Sequence, residues 1–180
     1  MNEAIRTIKS RRSVRSFNGR MVSDGIIDEL LECGRQAPSA MNQQPWKFIV
    51  ITDRKTIREM SGSIVEEAKQ KNSRIADRAE TMEDPIFYNA PLLIMILRPK
   101  DNEWAKFDCS AAAENIMLAA RSLGMGSCAI GMAGLLEGKE TMKQLEVPEG
   151  HEHHITMALG YTDEWPEAPE RKKEDVVKRV

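Results

Sequence analysis

Aromatic residues make up only 5% of this 180-residue chain, and it has just three cysteines, Cys33, Cys109 and Cys128. An odd count without paired spacing fits reduced thiols packed as small apolar groups better than a disulfide framework. Sparse aromatics leave little on which RNA bases could stack. Neither sign of charge dominates: 28 acidic residues face 26 basic ones, a net charge of −2. Nothing therefore draws the chain as a whole to nucleic acid or to anionic lipid. No apolar run reaches the roughly 18 to 20 residues of a membrane helix, and the charged N-terminal stretch lacks the apolar centre of a signal peptide. The expectation is a cytoplasmic protein, with residues 1–180 forming one domain.

Familiar motifs are missing as well. Gly124, Met125, Gly126 and Ser127 follow a helical pattern, whereas a dinucleotide fingerprint follows a strand and opens a helix. His151, His153 and His154 have no cysteine and carboxylate pattern at ligand spacing, with Glu152 alone beside them, so no metal is expected. Cys128 has no histidine tied to it by a recognisable signature, which argues against covalent catalysis.

Two local clusters stand out. Arg11, Arg12, Ser13 and Arg15 place three guanidinium groups and a hydroxyl within five residues. Planar donors that stay charged at neutral pH suit phosphate oxygens. Shortly after comes Ala37 Pro38 Ser39 Ala40 Met41 Asn42 Gln43 Gln44 Pro45 Trp46, a stiffened loop rich in amides and hydroxyls suited to a hydroxylated chain or a heterocycle edge. Together they suggest a phosphorylated, hydroxylated ligand.

The pattern around these clusters is mixed. Residues 2–10 predict a short helix with Ile5 and Ile8 on one face. Ser23 and Asp24 cap a second helix carrying Ile26, Ile27, Leu30, Leu31 and Cys33, stopped by Pro38. Trp46–Ile51 and Leu92–Leu97 read as strands, the second apolar enough to be buried on both faces. Residues 53–84 are charged and helical, with 61–84 a candidate cover. Asp108–Leu123 is apolar nearly all round, the mark of a buried helix that packs against its own copy, and Gly124 ends it. A short glycine-bounded segment at Ser127–Met132, a short helix at Lys139–Leu145 and a strand at His153–Leu159 follow. Residues 162–180 form an extended tail that needs a surface to lie on.

Four segments taken in order resemble the FMN-dependent nitroreductase family. They are Arg11–Arg15, Ala37–Phe48, Asn89 Ala90 Pro91 leading into an apolar strand, and Asp108–Ile130, with Gly160 Tyr161 extending the match. The resemblance implies an α+β fold, a mostly antiparallel central sheet wrapped by helices, and an intertwined homodimer with two FMN sites at the interface. It implies NADH or NADPH as donor, with a nitroaromatic, quinone or similar small acceptor reduced in a ping-pong cycle. Relatives with this architecture also carry out reductive dehalogenation or substrate dehydrogenation, and a redox sensor with little turnover is a further alternative.

By position, Arg11, Arg12 and Ser13 match residues that hold the FMN phosphate. Arg15 matches the basic residue near the flavin pyrimidine, where a fixed cation stabilises negative charge developing around N1 and O2 on reduction. Pro38, Ser39, Ala40 and Asn42 match a loop laid over the flavin by the neighbouring subunit. Cys128, Ala129, Ile130 and Gly131 match the segment whose backbone faces the ring. Arg171 matches a basic tail residue for the phosphate, with Lys172 and Lys173 as alternatives. No catalytic side chain is implied, because the flavin carries the chemistry. Ala40 lacks the hydroxyl often found there, and Gly131 Met132 departs from the glutamate and glycine pair of larger members.

Overall fold

A computed structural model describes residues 2–70 and 74–172. Its elements in chain order are α1 (Glu3–Ser10), α2 (Asp24–Arg35), a 3-10 turn (Ala40–Asn42), β1 (Lys47–Ile51), α3 (Arg54–Gln70), α4 (Arg74–Ala79), β2 (Leu92–Pro99), α5 (Ala105–Ser122), β3 (Gly126–Ile130), a second 3-10 turn (Gly131–Leu136), α6 (Glu140–Gln144) and β4 (His151–Gly160). The four strands form one sheet in the order β1-β2-β4-β3, and every neighbouring pair is antiparallel.

Strand β2 sets the architecture. Leu92 through Leu97 are all fully buried, and side chains alternate across a strand, so both faces of the sheet need a helical layer. Leu93, Met95 and Leu97 pack with Ile57, Met60 and Ile64 of α3. Leu92, Ile94 and Ile96 pack on the other side with Ile27 and Leu30 of α2 and Ala112 and Ile116 of α5. The expected α+β fold with an antiparallel sheet wrapped by helices is what forms. Among the described residues no helix is long and apolar enough to cross a membrane.

Several boundaries differ from the sequence reading. Ser23 occupies the N-cap of α2, but its side chain makes no capping bond; its carbonyl accepts the N–H groups of Ile26 and Ile27 instead. Helix α5 starts three residues early, at Ala105, and one chain buries only part of its surface. Ala112, Ile116 and Ala120 are enclosed, while Met117, Leu118 and Ala119 are half-buried. Its end follows expectation. Gly124 takes φ +75°, letting Met125 N–H reach Ala120 O at 2.8 Å and Gly124 N–H reach Arg121 O at 3.2 Å, the double bond of a Schellman stop. The candidate cover at 61–84 divides. Ile64, Val65 and Ala68 of α3 belong to the packed layer, whereas Ile75, Ala79 and Met82 lie against it only partly buried, and 71–73 fall outside the described residues.

The histidines have structural surroundings. His153 is buried, its Nε2 lies 3.0 Å from Thr156 Oγ1, and its N–H donates to Glu137 Oε1 at 3.1 Å. Burial, with a smaller contribution from His154, lowers its pKa from 6.5 to about 4. The unfolded chain therefore takes up this proton first as pH falls. Stability should drop between about pH 6.5 and pH 4, by up to about 3 kcal/mol, and level off below. Urea midpoints across that range check this: His153→Gln should flatten the drop, and parallel losses in both proteins would place its origin elsewhere.

Candidate functional site

The basic segment leaves α1 at Arg11, whose extended backbone ends the helix. It then runs beside β3. Val14 N–H donates to Ser127 O at 3.0 Å, and Ser13 forms a parallel bridge with Ser127. Val14 is fully buried, packed where Gly126 has no side chain; a Cβ on Gly126 would stand 2.8 Å from it. Alternation then turns Ser13 and Arg15 away from that contact.

Each cation has a distinct setting. Arg11 Nε lies 3.5 Å from Glu114 on α5, and Arg12 Nη1 donates to the carbonyls of Lys9 at 2.8 Å and Arg11 at 2.7 Å. Arg15 is exposed; it donates a long bond, 3.4 Å, to Ser13 O and also interacts with the Cys128 thiol. It has no carboxylate partner among the described residues, so its charge remains free to act on a neighbouring group.

Strand β3 supplies the other wall. Beyond Ser127 its outer edge has no backbone partner among the described residues, which leaves main-chain donors and acceptors available. Cys128 and Ile130 point into the core, Ala129 is exposed, and Gly131 opens the turn with empty space where a Cβ would be. Burial pushes the Cys128 thiol up, and nearby Arg15 and Arg11 only partly oppose that. A neutral buried thiol is a packing group rather than a nucleophile.

One chain does not bring the polar loop to this place. Asp108 near the start of α5 accepts the Ala40 N–H through both carboxylate oxygens, at 3.3 and 3.2 Å. Glu114 and Arg121 hold the other cluster, the latter through a 3.0 Å bond from Nε to Ser10 Oγ. At 1.5 Å and 100° per residue, these two anchors lie about 9 and 20 Å farther along α5 and about 120 to 140° around it. Pro38–Asn42 and Arg11–Arg15 thus occupy opposed flanks of the same helix.

The loop is strained and firmly tied. Met41, Asn42 and Gln44 have φ of 51°, 55° and 48°, in the left-handed region that non-glycine residues rarely enter. Ser39 Oγ accepts the Gln44 N–H at 3.0 Å, and Asn102 Nδ2 donates to Gln43 Oε1 at 3.1 Å. Asp108 escaped the sequence reading as a loop anchor. Its only signal was an acid, buried here, opening an alanine-rich helix.

Arg171 is not brought to the basic segment. It is exposed and makes no hydrogen bond or ion pair among the described residues; Lys172 is equally exposed, and Lys173 lies outside them. The tail touches its own chain earlier, where Arg121 stacks 4.0 Å from the Trp165 ring centroid and Asp163 accepts a 2.9 Å bond from Asn18. A cavity of about 260 Å³ opens beside Arg15, lined also by Phe17, Met82, Tyr88 and Asn89. Sequence reading assigned no site role to Tyr88 or Met82, since neither carries a motif outside the fold. Among the described residues, no group of three or more His, Cys, Asp or Glu side chains is placed to hold a metal ion.

Comparison with known proteins identifies the family. The model of the Nitroreductase family matches residues 8–161. A protein of Archaeoglobus fulgidus, provisionally named NADH dehydrogenase/NAD(P)H nitroreductase, is 35% identical over 162 residues, 89% of this chain and 86% of its own length. The crystal structure of a nitroreductase with bound FMN from Bacteroides fragilis superposes with a TM-score of 0.89 at 30% identity, covering 100% of both chains. Another with bound FMN, from Desulfitobacterium hafniense, gives 0.85 at 30% identity over 99% of this chain and 100% of its own.

Proposed function

This chain belongs to the nitroreductase family, and from that premise we propose that it is an FMN-dependent oxidoreductase. It takes reducing equivalents from NADH or NADPH and passes them to nitroaromatic, quinone or similar small acceptors by a ping-pong mechanism. It works as a homodimer with a flavin at the subunit interface. The observation that carries the reading is a free cation, Arg15, beside an unpaired strand edge, next to an arginine-rich, hydroxyl-bearing segment held on that strand.

The residues present suit the cofactor. Arg11, Arg12 and Ser13 offer charge-assisted donors for its phosphate, which would have to compete with Glu114 and with the α1 carbonyls. The open edge at Cys128–Gly131 offers main-chain groups and no bulky side chain toward a flat ring. Bound flavin supplies the two-electron chemistry; the chain's part is to position it and to bias its charge. Arg15 is assigned to the pyrimidine end and Arg171 to the phosphate.

The homodimer reading rests on α5 and on the loop. The half-buried flank Met117–Ala119 borders an apolar groove shared with Ile8, Thr7 and Cys33. A second copy covering it would bury apolar surface that a single chain leaves wet. Pro38, Ser39, Ala40 and Asn42 would then reach the partner's flavin, since α5 separates them from their own chain's basic segment.

Anaerobic titration of the purified protein tests the proposal. A flavin absorption band that bleaches with NADH or NADPH and returns with a nitroaromatic or quinone is the expected result. A dimer that neither carries nor binds FMN would remove the reading. Bleaching that no acceptor reverses would replace turnover with sensing.

A further inference from the structure

Next to the cavity beside Arg15 lies a second cation that the flavin reading does not use. Arg78 projects from α4 and is half-buried. Its guanidinium carbon stands 5.4 Å from the centroid of the Tyr88 ring, and Nη2 donates to Met82 Sδ at 3.6 Å. Stacking on an aromatic face and a weak sulfur acceptor hold the group in place without neutralising it. Among the described residues no carboxylate pairs with it.

The acids nearby are already engaged. Asp84 is buried and its carboxylate accepts bonds from the Ser61 hydroxyl at 2.6 Å and from the N–H groups of Ile86, Phe87 and Asn89 at 3.2, 2.9 and 3.1 Å. Glu83 is paired with Arg58 at 3.2 Å. The cavity wall therefore has two acids in use and one cation, Arg15, while Arg78 rests on the wall residues Tyr88 and Met82; neither cation has an acidic partner among the described residues.

Backbone strain marks the same wall. Tyr88 and Asn89 have φ of 60° and 58°, two consecutive non-glycine residues in the left-handed region. The Asp84 carboxylate accepts the Asn89 N–H and the Asp84 carbonyl accepts the Tyr88 N–H, each at 3.1 Å, which holds this turn. Strain of this kind persists where surrounding structure over-determines it, and it gathers at ligand clamps.

We infer that Arg78, held on Tyr88, is a specificity-determining residue that selects acceptors bearing a carboxylate. This rests on the flavin reading above, which puts the pyrimidine end of the flavin at Arg15. A planar guanidinium takes a carboxylate through two parallel bonds, and the Tyr88 and Met82 side chains supply an apolar surface for an aromatic ring attached to it. Neutral acceptors make no such contact.

The test compares two acceptors differing by that group, 4-nitrobenzoate and nitrobenzene, on flavin-loaded wild type, Arg78→Gln and Arg78→Lys. Flavin content and anaerobic bleaching are recorded first; their failure in wild type would sink the flavin reading, and this inference with it. With both intact, KM for 4-nitrobenzoate should rise about ten-fold or more in Arg78→Gln, while KM for nitrobenzene and kcat stay level. Arg78→Lys should recover part of the loss. Equal changes for both acceptors would overturn the inference, as would no change for either. A rise confined to KM for NADPH, but not NADH, would reassign Arg78 to the phosphate of the donor.

Discussion

Mixing two inactive variants should restore flavin binding and turnover. One carries Arg11→Gln and Arg12→Gln, the other Ser39→Ala and Asn42→Ala, and each alone should lose about a hundred-fold or more in flavin affinity through absent charge-assisted and hydroxyl or amide contacts. The reason for recovery is the position of the two motifs on α5, whose Asp108 holds the loop while Glu114 and Arg121 hold the basic segment on another flank. If each site combines one chain's arginines with its partner's loop, a heterodimer contains one fully wild-type site and one doubly defective site. Random exchange of subunits makes half the dimers mixed, so about a quarter of wild-type activity should return. A site built within one chain would leave every site defective, and no activity would appear on mixing. Unfolding, subunit exchange and re-formation can be followed by size and flavin absorbance together.

The second large effect should come from Arg15. It pairs with no carboxylate among the described residues, so its charge is available to the flavin ring it is proposed to face. Replacing it with glutamine should slow anaerobic bleaching by NADH or NADPH about a hundred- to a thousand-fold, the scale for removing one fixed stabiliser of developing charge. Arg15→Lys should retain much of the rate. Flavin content should change little, because the phosphate contacts are assigned to Arg11, Arg12 and Ser13. The variant's midpoint potential should also become more negative. A glutamine variant that bleaches at the wild-type rate would remove Arg15 from the electrostatics of the reduced ring.

Both predictions depend on contacts between distant segments, and the histidines make the same point. His151, His153 and His154 are adjacent in sequence, yet only His153 is buried with a Thr156 contact and a pKa near 4. Spacing alone argued against a metal and put His153 and His154 at the start of a strand, but it did not say which ring would be buried. For Cys128, local sequence favoured packing, and burial in the core beside Arg15 gives the physical basis for that.

What could be read from the chain was whatever a short window encodes. Apolar continuity at Leu92–Leu97 announced a doubly buried strand, helical periodicity located α1, α2 and α5, and a positive-φ glycine at 124 stopped the last of them. The basic cluster and the amide-rich loop were visible because their chemistry lies within a few consecutive residues. The tertiary structure alone decided that Ser13 pairs with Ser127, that Asp108 holds Ala40, and that Arg78 rests on Tyr88 without an acidic partner among the described residues. It also decided that the two motifs diverge around α5. Those relations join residues ten to more than a hundred positions apart, and packing both faces of one sheet sets the distances between them. Local periodicity specifies which face of an element is apolar, but only the completed layers determine what that face meets.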